Sequence, residues 1–377
     1  MKGPVSLVRC PTYEDDTVQA AVRRAVDLIG GIGRYVQPGQ RVLLKPNLLL
    51  ASAPEEAICT HPAVVKAVVR LVQEAGGQPV IGDSPGGPLR KPWLRAVYHR
   101  SGMTQVAEET GAELNWDCGE THLSHPAGHL IKAMDVGTYV ARADVVISLP
   151  KLKTHGLMRF TGAIKNLFGV IPGTAKMGYH ARFPQPERFG DMLLDILTLI
   201  RPALSLMDAV VGMDGQGPSA GDPFSIGALL ASADGIALDV VAATLVGMDV
   251  SSIYPLRAAM ARGLTTGRVA DIEIVGDAFG DFHVSGFRVP DTQAPSDGMT
   301  AFLGRLVKRW MVAAPGSNER CIGCGVCVQN CPVNAITLVE KRARMDLDIC
   351  IRCYCCHELC PERAIDLRKP WLGRLLS

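Results

Sequence analysis

No run of apolar residues approaches the roughly 20 that a membrane helix requires; the longest, "DGIALDVVAATLVGMDV", is broken by Asp and Gly. The opening "MKGPVSLVRCPTYEDD" lacks the long apolar centre of a secretory signal. A large net charge is missing as well. The 39 Lys and Arg against 37 Asp and Glu leave +2, so no global field favours nucleic acid. Neither G-x-x-x-x-G-K-[ST] nor G-x-G-x-x-G at a strand–helix junction occurs, which removes the usual signatures for nucleoside triphosphates, flavins and nicotinamides. Together these absences predict a soluble, cytoplasmic protein without a membrane span or a nucleic-acid partner.

Cysteine is scarce through most of the chain and then abundant. Of twelve, only Cys10, Cys59 and Cys118 precede Cys321. "CIGCGVCVQNCPVNAI" from Cys321 and "CIRCYCCHELCPERAI" from Cys350 each hold C-x2-C-x2-C-x3-C-P, the run of bacterial-type two-cluster ferredoxins, whose fourth Cys ligates the other cluster. The spacing therefore predicts two [4Fe–4S] clusters, one on Cys321, Cys324, Cys327 and Cys360, the other on Cys331, Cys350, Cys353 and Cys356. Paired C-x2-C units also build zinc sites, but two complete sets of four, each ending in Cys-Pro, fit the cubane better. Between them "ITLVEKRARMDLD" alternates like a hairpin. The ninth cysteine, Cys355, reads as a small buried residue beside a cluster.

Upstream, strand-like and helix-like segments alternate: "RVLLKPN", then "HPAVVKAVVRLVQEAGG", "PVIGD", "ADVVISLPK", "RFGDMLLDILTLIRP", "ALSLMDAVVGMDG", "SIGALLAS" and "GIALDVVAATLVG". This order predicts an α/β fold with a mainly parallel sheet covered by helices, plus a small α+β ferredoxin-like domain. The expected organisation is a body over 1–299 and a connector helix over 300–316. A two-cluster domain over 317–368 and a tail over 369–377 complete it.

Polar residues gather where strands end: Lys45 and Asn47 after "RVLL", Asp83 after "PVIG", Asp208 late in "ALSLMDAVV". The stretch 150–169 presents Lys151, Lys153, His155, Arg159 and Lys165, with Asn166, and no Asp or Glu. Ligands of open α/β sheets bind outside the carboxyl ends of strands, and His61 precedes a helix N-terminus. A basic cleft results, which Lys176 and His180 extend. Taken singly, each lysine could be merely the first solvated residue after a strand, and Asp83 and Asp208 could serve loop amides.

"KPN" at Lys45–Asn47, "HP" at His61, "LPKLKTH" through His155, "TGAIKNLFG" through Gly169 and "DGQGPSAG" from Asp214 resemble the domain-of-unknown-function family 362 across nearly the whole chain. Its members are described as iron–sulfur centre proteins, and many carry a carboxyl-terminal ferredoxin module. The resemblance implies an α/β body and two clusters, and it implies no particular reaction.

The functional expectation is an iron–sulfur oxidoreductase of anaerobic, low-potential chemistry, fed by an electron-donor protein. Lys45, Asn47, His61, Lys151, Lys153, Lys165 and Asn166 would hold a small anionic substrate. His155, with Asp83 or Asp208, would move protons. The alternative is a non-catalytic electron carrier or maturation factor that docks a protein partner.

Overall fold

Valine-, leucine- and isoleucine-rich runs form the strands of one large sheet in the computed structural model, which describes residues 3–282, 284–290 and 312–369. In chain order these are β1 (Val5–Arg9), β2 (Arg41–Pro46), β3 (Gln78–Ile81) and β4 (Glu113–Leu114). A separate small hairpin follows, β5 (Glu120–Ser124) with β6 (Ala133–Gly137). The large sheet resumes with β7 (Val145–Leu149), β8 (Lys151–His155), β9 (Arg159–Thr161), β10 (Leu204–Asp214), β11 (Asp222–Ser232) and β12 (Ile274–Gly276). Its order is β12-β1-β11-β10-β7-β2-β3-β4, with β8 paired to β10 and β9. The β2–β3, β2–β7, β3–β4, β7–β10 and β1–β12 pairs are parallel, while β11 runs antiparallel to β1 and β10. The mainly parallel α/β architecture expected from the alternation is present.

Helices cover both faces, as buried parallel strands require. Asp15–Asp27 and Pro62–Glu74 put Val18, Val22, Val64 and Val68 on one face. Pro186–Ile200 and Gly235–Leu245 put Phe189, Leu193, Leu238 and Val241 on the other. Asp234 starts the last helix by accepting the amides of Ile236 and Ala237 at 2.9 and 3.0 Å, an N-cap worth about 1 kcal/mol.

The basic stretch departs from expectation. Lys151–His155 is not the solvated edge of a loop but a second strand, buried at every position. Pro150 interrupts the ladder between β7 and β8. Its carbonyl takes the Asp208 amide at 2.8 Å, so the chain stays against β10, with Lys151 opposite Asp208.

In the carboxyl-terminal domain β13 (Ala314–Ser317) pairs antiparallel with β16 (Ile365–Arg368), and β14 (Ile336–Val339) forms a hairpin with β15 (Arg342–Met345). The hairpin is the expected one. The connector helix is corrected at its end: Ala314–Ser317 is an edge strand, where Pro315 is tolerated and the helix it would have closed cannot continue. The remainder of that connector, 300–311, and the tail from 370 lie outside the described residues.

Candidate functional site

Five lysines of the body lie in or against its interior, and they fall into two groups. Lys45, at the end of β2, is wholly buried with Nζ 2.7 Å from Asp83. Asp83 also accepts the amides of Leu48 and Ser84 at 2.8 and 2.9 Å. Gly169 is required here, since a side chain would collide with both Asp83 and the Lys45 ammonium. Lys151 is likewise paired, 2.8 Å from Asp208 and 2.8 Å from the Tyr13 hydroxyl. Asp208 further accepts the His61 amide at 2.9 Å and the Tyr13 hydroxyl at 2.8 Å. Burial works to raise the Asp208 carboxyl, but Lys151 and the His61 amide hold it below its ordinary value. His61 stacks on Tyr13 at 3.5 Å and caps its helix by accepting the Ala63 amide.

These contacts correct part of the expected cleft. Lys151, Asp208 and His61 satisfy one another in the interior and do not line the cavity described below, and Lys45 stands behind Asp83. Breaking a buried pair costs about 3–5 kcal/mol, so they belong to the fold.

Lys153, Lys165 and Lys176 differ: among the described residues none has a carboxylate within ion-pair distance. Lys153 donates to the Ile58 carbonyl at 2.7 Å, and Lys176 to the Ser84 hydroxyl at 2.8 Å. Lys165 lies over the Phe168 ring at 5.0 Å. Burial pushes Lys153 and Lys176 down to about 7 and lowers Lys165. All three line one cavity of about 70 Å³, together with Asn47, Asp83, His155 and Asn166. His180, Thr161 and Ser84 complete its polar wall. The sequence-derived cleft is thus assembled from its second set of residues.

His155 accepts the amides of Leu157 and Met158 at Nδ1, 3.0 and 3.2 Å away. Its proton therefore sits on Nε2. Burial pushes the imidazole down to about 4, so it is neutral near pH 7. Nε2 lies 3.0 Å from Oε1 of Glu358, but the two are poorly aligned, and neither completes a good hydrogen bond. Burial raises Glu358, yet His155 and Lys165 outweigh it and keep the carboxyl ionised. Three further buried atoms on the same wall also lack partners: Asn47 Oδ1, Thr161 Oγ1 and His180 Nδ1. Buried polar atoms are nearly always satisfied, so five such atoms around one cavity mark a place for a ligand.

Glu358 was not among the expected residues. It belongs to the short helix Cys355–Glu358 of the cysteine-rich domain, which together with Cys355 and Leu359 walls the cavity. The available signal was a carboxylate set between two cluster cysteines, an unfavourable place unless a partner lies opposite.

The expected ligands share local features between the two halves. Cys321, Cys324, Cys327 and Cys360 line one small cavity with Leu338 and Ile365. Amides at equivalent positions donate to sulfur: Ala335 to Cys331 at 3.1 Å and Ala364 to Cys360 at 3.2 Å. Such bonds stabilise thiolates and tune a cluster's potential.

The second half of this domain grips the body. Arg363 pairs with Glu56 at 2.6 Å, His357 meets the Gln216 carbonyl at 3.0 Å, and Ser219 donates to the His357 carbonyl at 3.3 Å. Gly86 of "SPGGP" lies against Leu359, whose side chain a Cβ would strike. The two glycine loops therefore seat a domain, consistent with their lack of a phosphate-binding pattern.

The family model described as "Domain of unknown function (DUF362)" matches residues 42–244, and one for a 4Fe-4S dicluster domain matches 320–364. A relative, the thylakoid-associated protein sll1697 of Synechocystis, is 36% identical over 319 residues, which is 83% of this chain and 96% of the relative. Among solved structures, the lactate racemase apoprotein from Thermoanaerobacterium thermosaccharolyticum matches with a TM-score of 0.42 and 13% identity, over 67% of this chain and 58% of that one. A structural-genomics protein from Thermotoga maritima matches with a TM-score of 0.32 and 12% identity, over 57% and 54%. The chain thus spans somewhat more than half of either solved protein. Among the described residues no helix is long and apolar enough to cross a membrane. The carboxyl-terminal segment is a 4Fe–4S-binding domain, which makes the chain an iron–sulfur protein.

Proposed function

Because the chain belongs to the DUF362 family and ends in a 4Fe–4S domain, we propose that it is an oxidoreductase whose substrate is a small anion held in the body's cavity. Two [4Fe–4S] clusters, on the two cysteine sets named above, supply single electrons when bound. The observation that carries this reading is the shared wall. The helix bearing Cys355, Cys356 and Glu358 closes the same cavity that three carboxylate-free lysines and five unsatisfied polar atoms line.

In this reading Lys153, Lys165 and Lys176 bind the anion, while Asn47, Asn166 and Thr161 orient it. A two-electron reduction consumes two protons. Lys153 and Lys176, which burial brings close to neutrality, can release them near pH 7, and His155 keeps a proton on Nε2 toward the cavity. Asp83 anchors Lys45 and carries no proton-transfer role. An electron-donor protein, and a cytoplasmic location with reduced thiols, belong to the same proposal. The thylakoid association of the Synechocystis relative makes attachment to a membrane surface the competing location, which cell fractionation decides.

The test uses chemically reduced full-length protein under anaerobic conditions. Its visible absorbance should recover on addition of the small-molecule fraction of a cell extract. Recovery with the protein fraction alone means a carrier that docks a partner, and overturns the enzyme reading.

A further inference from the structure

We infer that Lys165 is a nucleophile, and that the cavity takes a short oxo acid whose carbonyl carbon it captures as an iminium. The inference deepens the reading above: it rests on the cavity as the site of a small anion and names the class of that anion.

The amine of Lys165 is the free one of its group. Lys153 and Lys176 are fully buried and donate to oxygen, the first to the Ile58 carbonyl at 2.7 Å, the second to the Ser84 hydroxyl and the Pro85 carbonyl at 2.8 and 3.2 Å. Lys165 lines the same cavity yet keeps accessible surface. Among the described residues no oxygen accepts from its Nζ, which lies over the Phe168 ring at 5.0 Å. Its backbone, by contrast, is held firmly. Asp239 reaches in from the helix Gly235–Leu245 and accepts the amides of Ala163 and Ile164 at 2.6 and 3.0 Å, at the start of the short helix Ala163–Asn166. Asn166 ties the other end, donating to the Lys45 carbonyl at 3.2 Å and the Ser148 hydroxyl at 3.0 Å. Even Gly162 is dictated, because a Cβ there would strike Asp239. A free amine on a fixed support is what nucleophilic attack needs.

The surroundings suit the same chemistry. Burial lowers the Lys165 ammonium and Lys45 lowers it further, against Glu358 and Cys355; desolvation beside another cationic group is a standard means of freeing a lysine amine. Thr161 Oγ1 and the Nε2 proton of His155, neither well partnered, are donors for a carbonyl oxygen. Lys153 and Lys176 donate to the ligand's carboxylate whether or not they carry a charge, since the neutral amine keeps N–H bonds. A volume of about 70 Å³ holds roughly five waters at ~10–15 Å³ each, so the acid is short. In the step itself neutral Nζ bonds to the carbonyl carbon, and a proton passes from nitrogen to oxygen to give a carbinolamine. Its C–O bond then breaks as a neighbouring lysine ammonium protonates the departing oxygen, releasing water and leaving the protonated iminium. No electrons are exchanged. Covalent capture of this kind divides a difficult reaction into easier steps.

The experiment traps the adduct in full-length, cluster-loaded protein under anaerobic conditions. Glyoxylate, pyruvate or acetate is added with cyanoborohydride, which reduces an iminium to a stable amine, and the protein is denatured for intact and peptide mass spectrometry. Glyoxylate or pyruvate should label Lys165 at least tenfold more than the exposed Lys341; acetate, which has no keto or aldehyde group, should label neither. Labelling by glyoxylate alone assigns an aldehyde acid, and labelling by pyruvate a keto acid. Lys165→Arg keeps a cation and the cluster absorbance, and its total labelling should fall to the level of exposed lysines. If that variant loses clusters, the peptide map of the unmodified protein decides alone. Label on Lys153 or Lys176 in place of Lys165, label on Lys165 no higher than on Lys341, undiminished labelling of Lys165→Arg, or no adduct with either oxo acid overturns the inference. The trap requires no reduced cluster. An adduct without reoxidation by any compound would remove the oxidoreductase reading and leave this one standing, and reoxidation without an adduct would do the reverse.

Discussion

The two halves of the cysteine-rich domain share a backbone and differ in almost everything they touch. Gly323 and Gly325 of the first half have φ of 70° and 77°; the equivalent Arg352 and Tyr354 of the second hold 56° and 62°. The left-handed conformation costs a non-glycine residue about 1–2 kcal/mol, so the cluster loop dictates that geometry whatever residue occupies it. What diverges is the surroundings. Ile322 and Leu338 of the first half are exposed. In the second half Tyr354 is buried in the body's core and donates to the Ala313 carbonyl at 2.8 Å. Val326, Val328, Gln329 and Asn330 are matched by Cys355, His357, Glu358 and Leu359, which face the body. The comparison teaches that the repeat preserves the backbone of its cysteine loops, while one copy has become the wall of another domain's cavity.

Exchanging one cysteine in each half tests this most severely. Two clusters predict about eight irons per chain, and Cys321→Ser or Cys350→Ser should each remove about four. The Cys350 variant should weaken anion binding more, because three ligands of its set lie in the half that borders the cavity, whereas the Cys321 set contributes only Cys360 there. Iron analysis with calorimetry checks both, and equal loss of binding in the two variants breaks the asymmetry. Gly86→Val drives a side chain into Leu359, and overpacking of this kind costs about 1–3 kcal/mol. Iron content should be retained while the melting temperature falls and the domain becomes sensitive to protease. Glu358→Gln removes a negative charge from the wall, so sulfate should bind at least tenfold more tightly, since even ~12 Å of separation at an effective dielectric near 20 is worth ~1.4 kcal/mol per unit charge. Gln329→Glu, its counterpart, should leave binding unchanged. Smallest is Tyr354→Phe, which deletes one buried hydrogen bond and should lower stability by about 1 kcal/mol, measured by denaturant unfolding of cluster-loaded protein.

The 4Fe–4S-binding domain was legible in the sequence because its signal is local: each cysteine run falls within a dozen residues, and its spacing has few other uses. The strand–helix alternation was legible for the same reason. The basic stretch was readable in identity but not in burial. Lys151 looks like a residue at a strand's wet end until Asp208 and Tyr13, 57 and 138 positions away, are brought beside it, as does Lys153 until the Ile58 carbonyl, 95 positions away, is brought to it. Local pattern carries no trace of such partners. Asn47, Asp83, Lys153 and His155 were named from their places after strands, and Lys165, Asn166, Lys176 and His180 as extensions of the same cleft; all eight line the cavity. Glu358 was missed because its role exists only once two domains, each intelligible alone, are placed face to face.

The shared wall has a consequence for the lifetime of the loaded protein. A ligand that touches both Glu358 and the lysines of the body binds only while the domain is seated, so occupancy and seating are one equilibrium seen from two sides. At a hundredfold excess over its dissociation constant, such a ligand would hold the seated state by about 2.7 kcal/mol more. Oxygen and chelators would reach Cys353 and Cys356 more readily if the domain left its seat. The substrate would thus act as a preservative, and starvation for it would appear first as slow bleaching of the second half's iron.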